Sequence, residues 1–145
     1  MNLVVDASVA LKWFLSEEPL AGQALAVLQD GVPLIAPDFL IAEVCNGAWR
    51  SARLGRISQA QVGEIAASLP RFFDALIAAA ELAVRAVAIA GQLDHPVYDC
   101  FYLALAEKEQ VHFVTADMQL VGKVRDTAWQ PWATGLSEYN PSALR

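Results

Sequence analysis

Four carboxylates in this chain sit where a carboxylate is unfavourable. Asp6 closes the apolar run LVV in MNLVVDASVALKWF, Glu43 lies inside FLIAEVCNGAW, Asp99 inside VYDCFYLALA, and Asp117 follows VHFVT. An ionised carboxylate taken out of water costs several kcal/mol unless a cation or hydrogen bonds hold it, and otherwise it gains a proton. Singly, each acid has an ordinary reading. Asp6 with Ser8, and Asp117 after Thr115, suit helix caps after a strand; Asp99 suits the first turn of a helix; Glu43 suits a structural salt bridge. Together, four such acids converging on one pocket would repel one another. Hard divalent cations bound through oxygen resolve that conflict, with Mg²⁺ or Mn²⁺ the usual choice. Zinc does not fit, because neither Cys45 nor Cys100 has a histidine at ligand spacing and His95 and His112 stand apart. Both histidines read as surface residues or as support behind a site. No Ser/His/Asp or Cys/His set offers a side-chain nucleophile.

The elements that must position these acids alternate between short strands and helices. Leu3–Val5, Pro33–Ala36 and Val111–Thr115 read as strands. Helices are expected over Ala7–Leu15, Glu17–Gln29, Asp38–Arg53, Ser58 to near Pro70, Asp74–Ala90 with a stop at Gly91, Pro96–Glu109, and Asp117–Lys123. Fully apolar strands between helices predict a parallel sheet covered on both faces. In such a sheet ligands bind at the carboxyl ends of the strands, which is where Asp6 and Asp117 fall. The helices that carry Glu43 and Asp99 can add their acids to the same crevice. The helix with Asp99 is apolar on all sides and should be central.

The 145 residues make one domain, 1–145, long enough to bury roughly two thirds of its unfolded surface. Apolar residues make up 56% and charged ones only 18%, and the net charge of −6 disfavours a free nucleic-acid binder with a basic face. No apolar run reaches the roughly 18 residues of a membrane span; Leu76–Ala90 is broken by Glu81 and Arg85. The first residues show no basic segment or cleavage site, and Cys45 and Cys100 read as unpaired thiols, so a cytoplasmic protein without a membrane is expected. Arg50, Arg53 and Arg56, spaced by three, form the one local basic cluster, and Lys12 lies one helix from Asp6. They are candidate phosphate contacts, with a solvated helix end as the plain alternative. Trp13 and Trp49 read as core more than as base-stacking platforms.

DASVALKWFLSEE at the start, the helix with Glu43, Val44 and Asn46, HPVYDCFYLALAE in the middle and FVTAD near the end resemble the PIN domain, and within it the VapC-type toxins of bacterial toxin–antitoxin pairs. The likeness runs in order through nearly the whole chain and weakens only in the tail TAWQPWATGLSEYNPSALR, which puts the last strand in doubt. It implies an α/β class fold, a three-layer α/β/α sandwich around a short parallel sheet, and a metal-dependent endoribonuclease. Carried over residue by residue, the family's acidic quartet falls on Asp6, Glu43, Asp99 and Asp117. Ser8 and Thr115 match hydroxyl positions that assist the site, and Asn46 lies at i+3 from Glu43 on the same helix face.

From these charges the expected chemistry is hydrolysis by a metal-activated water. One or two Mg²⁺ or Mn²⁺ ions would generate the nucleophile at neutral pH and steady the scissile phosphate and the leaving 3′-oxygen. Asp6, Asp99 and Glu43 are expected to hold the principal ion, with Asp117 completing or bridging a second position. The resemblance further implies an RNA substrate, products with 5′-phosphate and 3′-hydroxyl ends, a homodimer, and a cognate VapB-type antitoxin laid across the groove. Receiver-type and haloacid-dehalogenase-like phosphotransfer domains lack support, since Asp6 has no acidic neighbour and the motif is D-A-S instead of D-x-D. The serious alternative is a non-catalytic PIN-like binding or scaffold module.

Overall fold

The computed structural model describes residues 1–143. The β-branched and apolar run Leu3–Val5 forms β1, with every residue buried. It pairs in parallel with β2 (Leu34–Pro37) on one side, Leu3 opposite Leu34, and with β4 (Phe113–Thr115) on the other, Val5 opposite Val114. The sheet order is β3-β2-β1-β4-β5, all parallel, with β3 at Ala75–Ile77 and β5 at Ala133–Gly135. β1, β2 and β4 have no exposed face, because helices cover both sides of the sheet in an α/β sandwich.

The helices are α1 (Ala7–Lys12), α2 (Ala21–Gln29), α3 (Leu40–Arg53), α4 (Gln59–Ser68), α5 (Ala79–Leu93), α6 (Val97–Glu109) and α7 (Met118–Val124). Helix α6 packs on β1, β2, β4 and α5. It buries Cys100 and every residue from Tyr102 to Ala106, as its all-round apolar sequence requires. Gly47 lets α1 and α3 come close: a Cβ there would lie 2.6 Å from Cδ2 of Leu11. Among the described residues no helix is long and apolar enough to cross a membrane.

Several boundaries differ from the sequence expectation. The stretch expected as one helix over Asp74–Ala90 is a strand, β3, followed by α5, which runs on to Leu93. Three residues are too few to show alternation, so β3 was hidden inside an alanine-rich helical pattern. Gly91 does not stop α5; Asp94, with φ +51°, ends it by turning left-handed. Helix α1 stops at Lys12, and α2 starts only at Ala21 because Leu20, with φ +64°, breaks the run begun at Glu17. Asp38 caps no helix of its own segment; its carboxylate accepts from the amide of Ala79 at 3.2 Å. The tail provides the edge strand β5, whose Ala133 and Thr134 pair with Phe113 and Val114. Cys45 is half-buried and Cys100 buried, and both are free thiols.

Candidate metal centre

β1 lies centrally, and its neighbours β2 and β4 lead the chain in opposite directions. That reversal opens a crevice at the carboxyl ends of β1 and β4. Each of the four acids stands at a helix start on this edge. Asp6 caps α1, accepting from the Val9 amide at 3.2 Å. Asp117 caps α7, its Oδ1 accepting from the amides of Gln119 at 3.0 Å and Leu120 at 3.2 Å. Glu43 and Asp99 occupy the first turns of α3 and α6. Partial positive charge at a helix start favours a carboxylate there.

Asp6 is the most enclosed of the four, at 4% exposure. Ser8 donates to its Oδ1 at 2.5 Å and Thr115 donates to its Oδ2. Each hydroxyl is itself fixed by a backbone amide: Ala116 donates to Ser8 Oγ at 3.0 Å and Asp117 to Thr115 Oγ1 at 3.0 Å. Burial pushes the Asp6 carboxyl up to about 7; the Ser8, Thr115 and Val9 hydrogen bonds oppose that rise, and the negative charge of Asp99 adds to it. Burial also raises Glu43, against a 2.7 Å hydrogen bond from the Tyr102 hydroxyl and again with Asp99 as the repelling neighbour. Tyr102 is buried and stacked on Phe113, and burial drives its hydroxyl far above the usual tyrosine range, so it remains a donor.

Asp99 is therefore the acid to which the others relate. Its Oδ2 lies 2.6 Å from Nε2 of His95. Ligand atoms of His95, Asp99 and Asp117 all lie within 4.8 Å of one another, along a cavity of about 630 Å³ that Lys123 and Gln119 also line. This partition differs from the expected trio of Asp6, Glu43 and Asp99, since the tight group contains Asp117 and a histidine. Asp6 and Glu43 reach Asp99 through charge.

The donor set suits a divalent cation. Among the described residues no lysine or arginine pairs with any of the four acids. Glu43, Asp99 and Asp117 each have one carboxylate oxygen tied by hydrogen bonds and the other left open. Oδ2 of Asp6 accepts one bond and retains a second lone pair. Oxygen-rich sets with open lone pairs suit a hard divalent cation.

The sequence over residues 3–123 matches the family model described as PIN domain. The chain belongs to the PIN-domain family. This PIN domain is 35% identical over 125 residues to Ribonuclease VapC3 of Pyrobaculum aerophilum, spanning 85% of the present chain and 95% of that protein. In fold, it is similar to the crystal structure of PAE2754 from Pyrobaculum aerophilum, with a TM-score of 0.67 at 21% identity over 94% of this chain and 85% of the other. It is also similar to a toxin–antitoxin complex from Klebsiella pneumoniae, with a TM-score of 0.65 at 21% identity over 94% of this chain and 99% of the other.

The remaining candidates of the PIN domain are more scattered. Asn46 is exposed on α3 and makes no side-chain hydrogen bond among the described residues. Lys12 ends α1. Arg56 pairs with Glu18 at 3.3 Å beside a groove of about 490 Å³, and Arg53 lies over the Trp49 ring at 5.6 Å. Arg50 is exposed and unpaired among the described residues. Trp13 is structural, packed on Phe72 and Phe73 and donating from Nε1 to the Ala24 carbonyl at 2.9 Å. Trp49, at 46% exposure, is at the surface. Tyr102 escaped the sequence reading, and His95 was read there only as a surface residue or as support behind a site. Tyr102 was hidden among apolar neighbours, though it stands at i+3 from Asp99 on the same helix. His95 stands four residues before Asp99 and its side chain is only 7% exposed, with Pro96 bending the chain between them. His112 precedes β4 at the opposite end of the strand, its Nδ1 buried without a hydrogen-bond partner.

Proposed function

We propose that this PIN domain, residues 1–145 as one unit, is a metal-dependent endoribonuclease and the toxin of a type II toxin–antitoxin pair. The observation that carries the reading is the setting of Asp6. It is a buried carboxylate held by two hydroxyls and an amide, with the charge of Asp99 beside it and, among the described residues, no basic side chain paired with it. Family membership and the identity to a protein named as a ribonuclease point the same way.

Asp6, Glu43, Asp99 and Asp117 would hold Mg²⁺ or Mn²⁺. A cation bound there supplies neutralisation of charge on the scissile phosphate and on the leaving 3′-oxygen, and activates water at neutral pH. The protein's own groups prepare that arrangement. Ser8 and Thr115 fix both oxygens of Asp6, Tyr102 fixes Glu43, and the helix cap fixes Asp117, so the open oxygens need little reorganisation. In the reaction a water oxygen joins phosphorus, the P–O3′ bond breaks, and the 3′-oxygen takes a proton. The products carry 5′-phosphate and 3′-hydroxyl ends.

RNA would approach a protein of net charge −6, so attraction must be local. Arg50, Arg53, Arg56 and Lys12 are the proposed phosphate contacts. A cognate antitoxin, placing a cationic side chain among the acids, would silence the site, and the toxin would act as a homodimer in the cytoplasm. The likeness to a toxin–antitoxin complex is one of fold and is consistent with such a partner. The test is purified, antitoxin-free protein on a mixed RNA pool with Mg²⁺ or Mn²⁺. Cleavage that chelator abolishes supports the reading; a well-folded protein that cleaves no RNA with either ion favours the scaffold alternative.

A further inference from the structure

The acids alone describe an all-oxygen site, and His95 departs from that pattern. Its position is built into the fold. The turn that carries it is fixed by three helices: Asp94 ends α5, the His95 amide donates to the Ala90 carbonyl at 3.3 Å, and Pro96 opens α6. Lys123 of α7 donates to the Asp94 carbonyl at 3.1 Å and clamps the same turn from the side of Asp117. The imidazole is 7% exposed and presents Nε2 to Asp99 Oδ2 at 2.6 Å.

Two ligands of one octahedral ion, each bound at about 2.1 Å, stand about 3 Å apart when adjacent and about 4.2 Å apart when opposite. Ligand atoms of His95, Asp99 and Asp117 already lie within 4.8 Å of one another, and the His95–Asp99 pair, at 2.6 Å, need open only slightly for all three to share one ion. We propose that His95 is a nitrogen ligand in this centre, sharing one cation with Asp99 and Asp117, and that it biases the site toward Mn²⁺ over Mg²⁺. The proposal rests on the metal-dependent reading above and deepens it. Mg²⁺ keeps to oxygen ligands and sheds water reluctantly, whereas a nitrogen donor favours ions along the series that begins with Mn²⁺.

The competing explanation is that His95 only orients Asp99 through the hydrogen bond across one helical turn. His95→Gln separates the two, because glutamine retains a donor for Asp99 and supplies no imidazole. Mn²⁺ and Mg²⁺ binding to folded wild-type, His95→Gln and His112→Gln proteins would be measured by calorimetry. Electron spin-echo modulation of bound Mn²⁺ would report any coordinated nitrogen. The wild type should show ¹⁴N modulation and bind Mn²⁺ at least about tenfold more tightly than Mg²⁺. His95→Gln should lose the modulation and about 10–100-fold in Mn²⁺ affinity while Mg²⁺ affinity changes less than about threefold. His112→Gln should retain both wild-type properties. Mn²⁺ bound without ¹⁴N modulation, or modulation that survives His95→Gln, overturns the ligand assignment and leaves the metal-dependent reading standing. A wild-type protein that binds neither ion overturns both.

Discussion

Thr115 donates its hydroxyl to Oδ2 of Asp6 and accepts the amide of Asp117, so one side chain joins the carboxyl ends of β4 and β1. Thr115→Val keeps the shape and removes both bonds. The loss leaves a buried carboxylate oxygen and an amide short of partners, a cost of about 1–3 kcal/mol in stability. On the proposed function, affinity for the divalent ion should fall about 10–100-fold, as for other supporting residues around a metal. Thermal unfolding and calorimetric titration check the two effects separately. Metal affinity within twofold of wild type would show that Thr115 is structural only.

Tyr102→Phe preserves the stack on Phe113 and removes the donor to Glu43. Burial already raises Glu43 and the Tyr102 hydrogen bond opposes that rise, so the variant should raise Glu43 further. Protons would then compete better with the cation, and the pH at which half the metal affinity is lost should move upward. Titrations at several pH values read this directly, and an unmoved midpoint would remove Glu43 from the ligand set.

Asp6 gives a signed prediction about stability. Its folded pKa of about 7 exceeds the model-peptide value of 3.8 because burial favours the neutral acid. The stability it contributes is present in full below 3.8 and is lost as pH rises through about 7, a span of up to about 4 kcal/mol. Asp6→Asn is neutral at every pH. In chelator it should be more stable than wild type at pH near 8 and equal to it near 3. Added Mn²⁺ should raise the melting temperature of the wild type more than that of Asp6→Asn. Equal stability of the two proteins at both pH values would contradict the burial argument.

Arg56 is engaged with Glu18 and Arg53 with Trp49, while Arg50 has no such partner among the described residues, so the three arginines should not contribute equally to RNA. Arg50→Ala should raise KM for RNA several-fold with kcat and metal affinity retained, since a phosphate contact positions without touching the reacting atoms. Arg56→Ala should have the smaller effect. Steady-state kinetics at two salt concentrations would show it, and an unchanged KM for Arg50→Ala would place the RNA path elsewhere.

The four acids were legible in the sequence because each is a charge set in an apolar run, and strand or helix order alone brings them to one edge of the sheet. The core followed from the same pattern: LVV is a strand as expected, the strands expected over PLIA and VHFVT form as LIAP and FVT, and VYDCFYLALA lies in the buried helix. β3 was illegible because Ala75–Ile77 is too short to show alternation beside an alanine-rich helix. β5 was obscured because Ala133 and Gly135, either side of Thr134, carry weak strand preference, and the strand gains its place by pairing with β4. The Tyr102–Glu43 pair depends on which helix faces which, since its members lie 59 residues apart, whereas His95 and Asp99 meet locally across one turn at the start of α6. Glu107 accepts from Arg85 and from Trp129 Nε1 and so holds the tail to α6.

On the proposed function, Asp6 and Asp99 carry metal-dependent RNA hydrolysis. Initial rates of RNA cleavage with saturating Mn²⁺ should be compared for the wild type, Asp6→Asn and Asp99→Asn, each verified as folded and free of any partner. The wild type should cleave RNA in a reaction that chelator abolishes, and both variants should be slower by at least about 100-fold. Cleavage by either variant at the wild-type rate would contradict this assignment.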